Sequence, residues 1–197
     1  MDLDKKYEQL YAHAEAFSYR LAKEVVKKPE ISVWMILLPV LFVHHFYRIN
    51  EYKEGVRSFA KHFLSTQQKA LHKAYDQALA GSRLDYGLDA YFPEQNLSVQ
   101  DRNLAKKQLE VLKVLEDHYL ALMQASGQKL EELVQDAYQA SPEQYRGFLN
   151  RLQEAEKGLN EYLLQEVHTS EESGLVLRQV EKHCSRLREE EISLFFK

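Results

Sequence analysis

Histidine and cysteine are the residues of this chain best able to do chemistry, and their spacing restricts what that chemistry could be. His183 and Cys184 are neighbours, which on a helix point about 100° apart and so make a poor metal-binding pair. His44 and His45 stand where an apolar stretch meets charge, a place where imidazoles can titrate with pH but more often simply mark an interface. A di-iron site in a four-helix bundle requires repeated Glu-x-x-His pairs, which put both ligands on one helical face; the sequence has none. The zinc spacings Cys-x-x-Cys and His-Glu-x-x-His are missing too. Gly81 and Gly87 belong to no phosphate-cradling fingerprint, and no nucleophile-elbow pattern supports a serine triad. The sequence therefore predicts no enzyme, no cofactor and no metal site. A buried polar cluster around His44, His45, His62 or His118 would be the finding that reopens catalysis.

The elements that would carry these residues are helices. Gly 7 and Pro 4 are few for 197 residues, and 28% charged with 45% hydrophobic residues suits long amphipathic helices. The expected fold is all-α: a long-helix bundle with one strongly apolar, proline-kinked helix as a candidate membrane segment. A net charge of -4 argues against a general phosphate-backbone binder, so no nucleic-acid partner is expected. The one cysteine, Cys184, can form no intramolecular disulfide, which fits a reducing cytoplasm.

Residues 1–28 predict an amphipathic N-terminal helix. Leu3, Tyr7, Leu10, Ala14, Phe17, Leu21 and Val25 recur at steps of three and four, a single apolar stripe that should pack against the protein's own helices. Its acidic opening is unlike a secretory signal. Pro29 ends it. Residues 29–49 then form an apolar candidate membrane segment, with no charged side chain from Ile31 to Val43. The expected lipid contacts are Trp34, Met35, Ile36, Leu37, Leu38, Pro39, Val40, Leu41, Phe42, Val43, Phe46 and Tyr47. Trp34 at one end and Phe46, Tyr47 and Tyr52 at the other resemble aromatic belts at a membrane interface. A full crossing needs about 20 apolar residues, which this run reaches only if it extends through His44 and His45. Pro39 in its middle predicts a kinked span, with a shallow hairpin as the alternative. Lysines and arginines flank both ends, so charge sets no orientation.

Residues 50–80 continue as a long helix, in which Tyr52, Val56, Phe59, Phe63, Ala70, Leu71, Ala74 and Leu79 keep the helical spacing that starts at Ile49. Residues 81–97 concentrate Gly, Pro, Asp and Asn and predict an irregular connector, too apolar for a free linker and therefore packed on the bundle, with a partner-binding loop as the alternative. Residues 98–197 predict a helical bundle domain. Ser98 and Asp101 open its first helix, which runs to about Ala125; a shorter one uses Leu130, Leu133, Val134 and Ala137. The Ser141-Pro142-Glu143-Gln144 stretch is the clearest start signal, followed by Tyr145, Phe148, Leu149 and Leu152 on one face. Leu177, Val180, Cys184, Leu187 and Leu194 of the last helix resemble a short coiled-coil seam. Two functions compete. The first is a membrane-associated helical scaffold or adaptor, anchored by residues 31–49 and presenting a cytoplasmic helical domain to a protein partner. The second is a soluble cytoplasmic all-α bundle that binds a protein or a small apolar ligand, with residues 31–49 as buried core.

Overall fold

A computed structural model describes residues 1–26, 39–92, 99–166 and 171–197; the side chains of residues 39–51, 99–100, 166 and 171–173 are outside that description. Every regular element among the described residues is a helix: α1 (Leu3–Val25), α2 (Pro39–Ala80), α3 (Leu88–Tyr91), α4 (Val99–Gln124), α5 (Leu130–Ala137), α6 (Pro142–Glu166) and α7 (Glu171–Phe195). The fold is thus an all-α bundle, as composition and periodicity predict.

Local chemistry sets several boundaries. Asp2 caps α1 by accepting from the Lys5 backbone N–H at 2.8 Å, which satisfies one of the donors a helix start leaves open. Ser141 does the same for α6, accepting from the Gln144 N–H at 3.3 Å, with Pro142 in the first turn where its missing N–H costs nothing. Gly81 ends α2 at φ +63°, a left-handed conformation open to glycine and strained for other residues.

Neighbours in the bundle run antiparallel. On α1 and α2, Tyr7 meets Tyr75, Phe17 stacks on Phe63, and Val26 lies beside Gly55. On α1 and α7, His13 pairs with Glu191, Arg20 with Glu190 and Glu24 with Arg186. His118 of α4 stacks on Phe148 of α6, and Glu156 of α6 pairs with Arg188 of α7. Helix α4 is central: it packs on α1, α2, α3, α5 and α6, and its Leu112, Leu115, Tyr119 and Leu122 are buried in the main core with Leu10, Leu71, Phe148 and Leu149.

The α1 stripe is buried as its spacing predicts, from Leu10 through Leu21. Two residues of the other apolar spacings face outward. Leu79 is 59% exposed, because it follows Ala74 by five residues and leaves the face that Ala74 and the partly buried Ala78 share. Leu194 is 49% exposed, whereas Ile192 and Phe195 are buried. The buried stripe of α7 proceeds from Cys184 and Leu187 through Arg188 and Glu191 to Phe195, so two charged residues occupy positions that an apolar seam would have filled.

The connector packs on the bundle. Tyr91, 5% exposed, donates its hydroxyl to the Glu116 carboxylate. Gln77 donates to Glu116 at 2.5 Å and accepts from the Leu84 backbone N–H at 2.9 Å. Lys69 and Lys73 lie over the rings of Phe92 and Tyr86 at 5.0 and 4.5 Å. Residues 93–98, and with them the Ser98 cap, lie outside the described residues.

Candidate functional site

Of the expected lipid contacts, Trp34, Met35, Ile36, Leu37 and Leu38 lie outside the described residues. Pro39, Val40, Leu41, Phe42, Val43, Phe46 and Tyr47 form the first turns of α2, which continues unbroken to Ala80 over 42 residues. The described helix begins at Pro39, so a kink there concerns residues on its undescribed side. No helix among the described residues is long and apolar enough to cross a membrane.

The polar centre of the bundle lies elsewhere, around a cavity of about 50 Å³ lined by residues of α1, α2, α4, α5, α6 and α7. Its polar lining is His13, Gln67, His118, Tyr119, Tyr145, Arg188 and Glu191. His13 Nε2 stands 2.8 Å from Glu191 Oε1. Arg188, 6% exposed, donates Nη1 and Nη2 to the two Glu156 carboxylate oxygens, each at 2.7 Å. That bidentate geometry is what makes a charge tolerable at such burial. Tyr119 donates its hydroxyl to Gln67 Oε1 at 2.8 Å.

His118 is boxed by aromatic rings. It stacks on Phe148 with centroids 4.0 Å apart and planes 6° from parallel, and Tyr119, Tyr138 and Tyr145 surround it at 5.3, 5.8 and 6.2 Å. Its Nδ1 is 2.6 Å from the Tyr138 hydroxyl. Burial, with a smaller contribution from His13, lowers the His118 pKa to about 3, so at neutral pH the ring is uncharged, and the tautomer sets which partner donates in its bond to Tyr138. Burial likewise drives the Tyr119, Tyr138 and Tyr145 hydroxyls well above their ordinary range.

The finding that would reopen catalysis is therefore present at His118 and not at His62, which is exposed and bonded to the Ser58 carbonyl. The side chains of His44 and His45 are outside the described residues. General acid–base chemistry works best with a group titrating near the working pH, and here burial moves His118 and its tyrosines away from neutrality. The cavity itself has room for a few waters, each needing about 10–15 Å³ by this kind of measure.

His183 and Cys184 diverge as their spacing predicts. His183 Nδ1 faces Glu24 Oε2 at 3.5 Å, too long for a hydrogen bond, while Cys184 is buried with its thiol pushed up to about 12 by burial. Among the described residues no group of three His, Cys, Asp or Glu side chains is placed to hold a metal ion.

Sequence reasoning missed Arg188 and Glu191 as buried residues with half-buried His13 and Glu156 as their partners, and Glu116 with Gln77. The available signal was phase: Arg188 and Glu191 follow Cys184 by four and seven, on the same helical face. No protein-family model, curated protein or solved structure matches the chain.

Proposed function

We propose that this protein is a membrane-associated helical scaffold or adaptor, in which residues 31–49 contact lipid and the bundle offers its outer faces to a protein partner. The register of α1 on α2 carries this reading. Val26 lies beside Gly55, and from there α2 runs back to Pro39, about 24 Å farther at the helical rise. The Pro39–Tyr47 stretch, rich in Val, Leu and Phe, thus projects beyond the end of α1.

The bundle's centre is meanwhile occupied by α4, which weighs against residues 31–49 as the central core helix of a soluble bundle. A small apolar ligand is also disfavoured, since such pockets measure about 300 Å³ or more and the cavity about 50 Å³. A complete crossing would need residues 31–38 in continuation of α2, because no described helix suffices alone. Phe46 and Tyr47 would then sit at headgroup level.

The test is the distribution of intact protein between soluble and membrane fractions, with the pellet washed in high salt, alkaline carbonate and mild detergent. Release by detergent alone is expected, together with a shift of Leu41→Asp into the soluble fraction while its helical circular dichroism stays unchanged. A soluble, monodisperse protein without detergent would overturn the proposal.

A further inference from the structure

The end of the bundle beyond Val26 carries a second apolar feature besides the head of α2. Helices α6 and α7 form an antiparallel pair that reaches it. Glu156 pairs with Arg188, Asn160 donates to Glu181 at 2.7 Å, and a Cβ at Gly174 would lie 3.4 Å from Leu164. The first two of these contacts are polar. At the third the side chains turn apolar and open outward: Leu164 is 40% exposed, Leu175 55% and Val176 45%. A single exposed leucine is ordinary, whereas three gathered at the tip of a helix pair form a contact surface.

The register of the helices gives the height of this tip. Arg186 and His183 of α7 stand opposite Glu24 of α1 at 3.0 and 3.5 Å, and Val25 and Val180 pack on the same small core. Val26 is therefore level with about residue 181 of α7, and residues 174–176 lie roughly 8–10 Å past it at the helical rise. Val26 is also beside Gly55, which puts Tyr47 of α2 about 12 Å past the same level. The tip and Tyr47 thus reach nearly the same height.

We propose that the α6–α7 tip is a second lipid contact, seating Leu164, Leu175 and Val176 in the headgroup region of the bilayer face that residues 31–49 enter. This rests on the membrane-associated reading above and adds a contact from a distant part of the chain. A surface that meets α2 at the height of Tyr47 meets the tip as well. Charge sets the lipid class. From Glu161 to Arg178 the sequence has four carboxylates and one arginine, so anionic headgroups work against the contact and burial of Leu and Val drives it. A zwitterionic surface fits that balance. Two contacts on separate helices also fix the bundle's tilt on the membrane, which an anchor on α2 alone leaves to packing.

The test uses the full chain reconstituted in phosphatidylcholine vesicles, with one fluorophore at a time on Leu175→Cys, Phe42→Cys or Leu79→Cys. Leu175 and Leu79 are more than half exposed, so labels there disturb the fold little, and Cys184 is buried and stays unlabelled. Emission is compared between ordinary vesicles and vesicles whose acyl chains carry bromine, a short-range quencher. The Leu175 label is expected to lose emission to bromine, by less than the deeper Phe42 label, and the Leu79 label, at the opposite end of α2, to lose none. Quenching at Phe42 with none at Leu175 would overturn the tip contact and leave the anchor standing. Quenching at Leu175 with none at Phe42 would keep the tip contact and remove the anchor, and absence at both would remove both. A Leu175 label shielded from aqueous iodide yet untouched by bromine would show a protein surface covering the tip, which also sinks the proposal.

Discussion

Arg188 sits 6% exposed on the inner face of α7, so its charge depends on Glu156. Glu156 is 22% exposed and can partly rehydrate when Arg188 is removed, so losing the pair costs about 1.5–3 kcal/mol. Arg188→Met should therefore lower unfolding stability in urea by that order, and Arg188→Met combined with Glu156→Leu should recover much of the loss. Recovery failing in the double variant would show that Glu191 also relies on Arg188. Cys184 gives a simpler check. At 3% exposure, with its thiol pushed up to about 12, it should resist thiol reagents at about pH 8 in the folded protein and react at once in denaturant. His118 supplies a pH dependence. Its folded pKa, about 3, lies below its unfolded value near 6.5, so below that value the unfolded chain binds a proton the folded one refuses. Stability is complete above about pH 6.5 and declines as pH falls toward 3, by up to a few kcal/mol. Urea midpoints between these limits should fall in wild type and fall less in His118→Phe.

At the scale of elements, the Ser141 start of α6 and the buried stripe of α1 are where sequence and structure agree best. Ser141→Ala should cost about 1 kcal/mol, read from the thermal midpoint, because the Gln144 N–H loses its acceptor. Tyr91→Phe should leave Glu116 bound by Gln77 and paired with Lys113 at 4.0 Å and speed proteolytic cleavage within residues 81–92, with α4 itself uncut. Helix existence, the α1 stripe, the α6 start and the inner face of α4 were legible because each rests on local periodicity or a capping residue. The polar centre was not. Arg188, Glu191 and Glu156 have charged side chains that ordinarily belong on a surface, and nothing local says that α1 and α6 will bring His13 and a carboxylate to meet them. Leu79 and Leu194 misled in the opposite sense: apolar type suggested burial where helical phase turns the side chain outward.

For the whole molecule, the arrangement of α1 decides much. Lys6, only 8% exposed, donates Nζ to the Met123 and Ala125 carbonyls at 2.7 and 2.6 Å, closing the end of α4, while farther along α1 the Arg20–Glu190 pair joins residues 170 apart in sequence. Lys6→Met should thus loosen a helix far from it in sequence: faster amide exchange is expected at residues 121–125, where unchanged protection would show that α4 closes without α1. The same pairing has a consequence in time. A nascent chain exposes the apolar stripe of α1 first and makes α7, which covers one side of it, some 170 residues later. At ribosomal speeds of about 5–20 residues per second that is a wait of roughly 10–30 seconds, during which α2 and then α4 shelter the stripe. Helix α1 is therefore fully enclosed only once α7 is made, and the interval before α7 arrives is when a chaperone or a lipid surface has its best access to it.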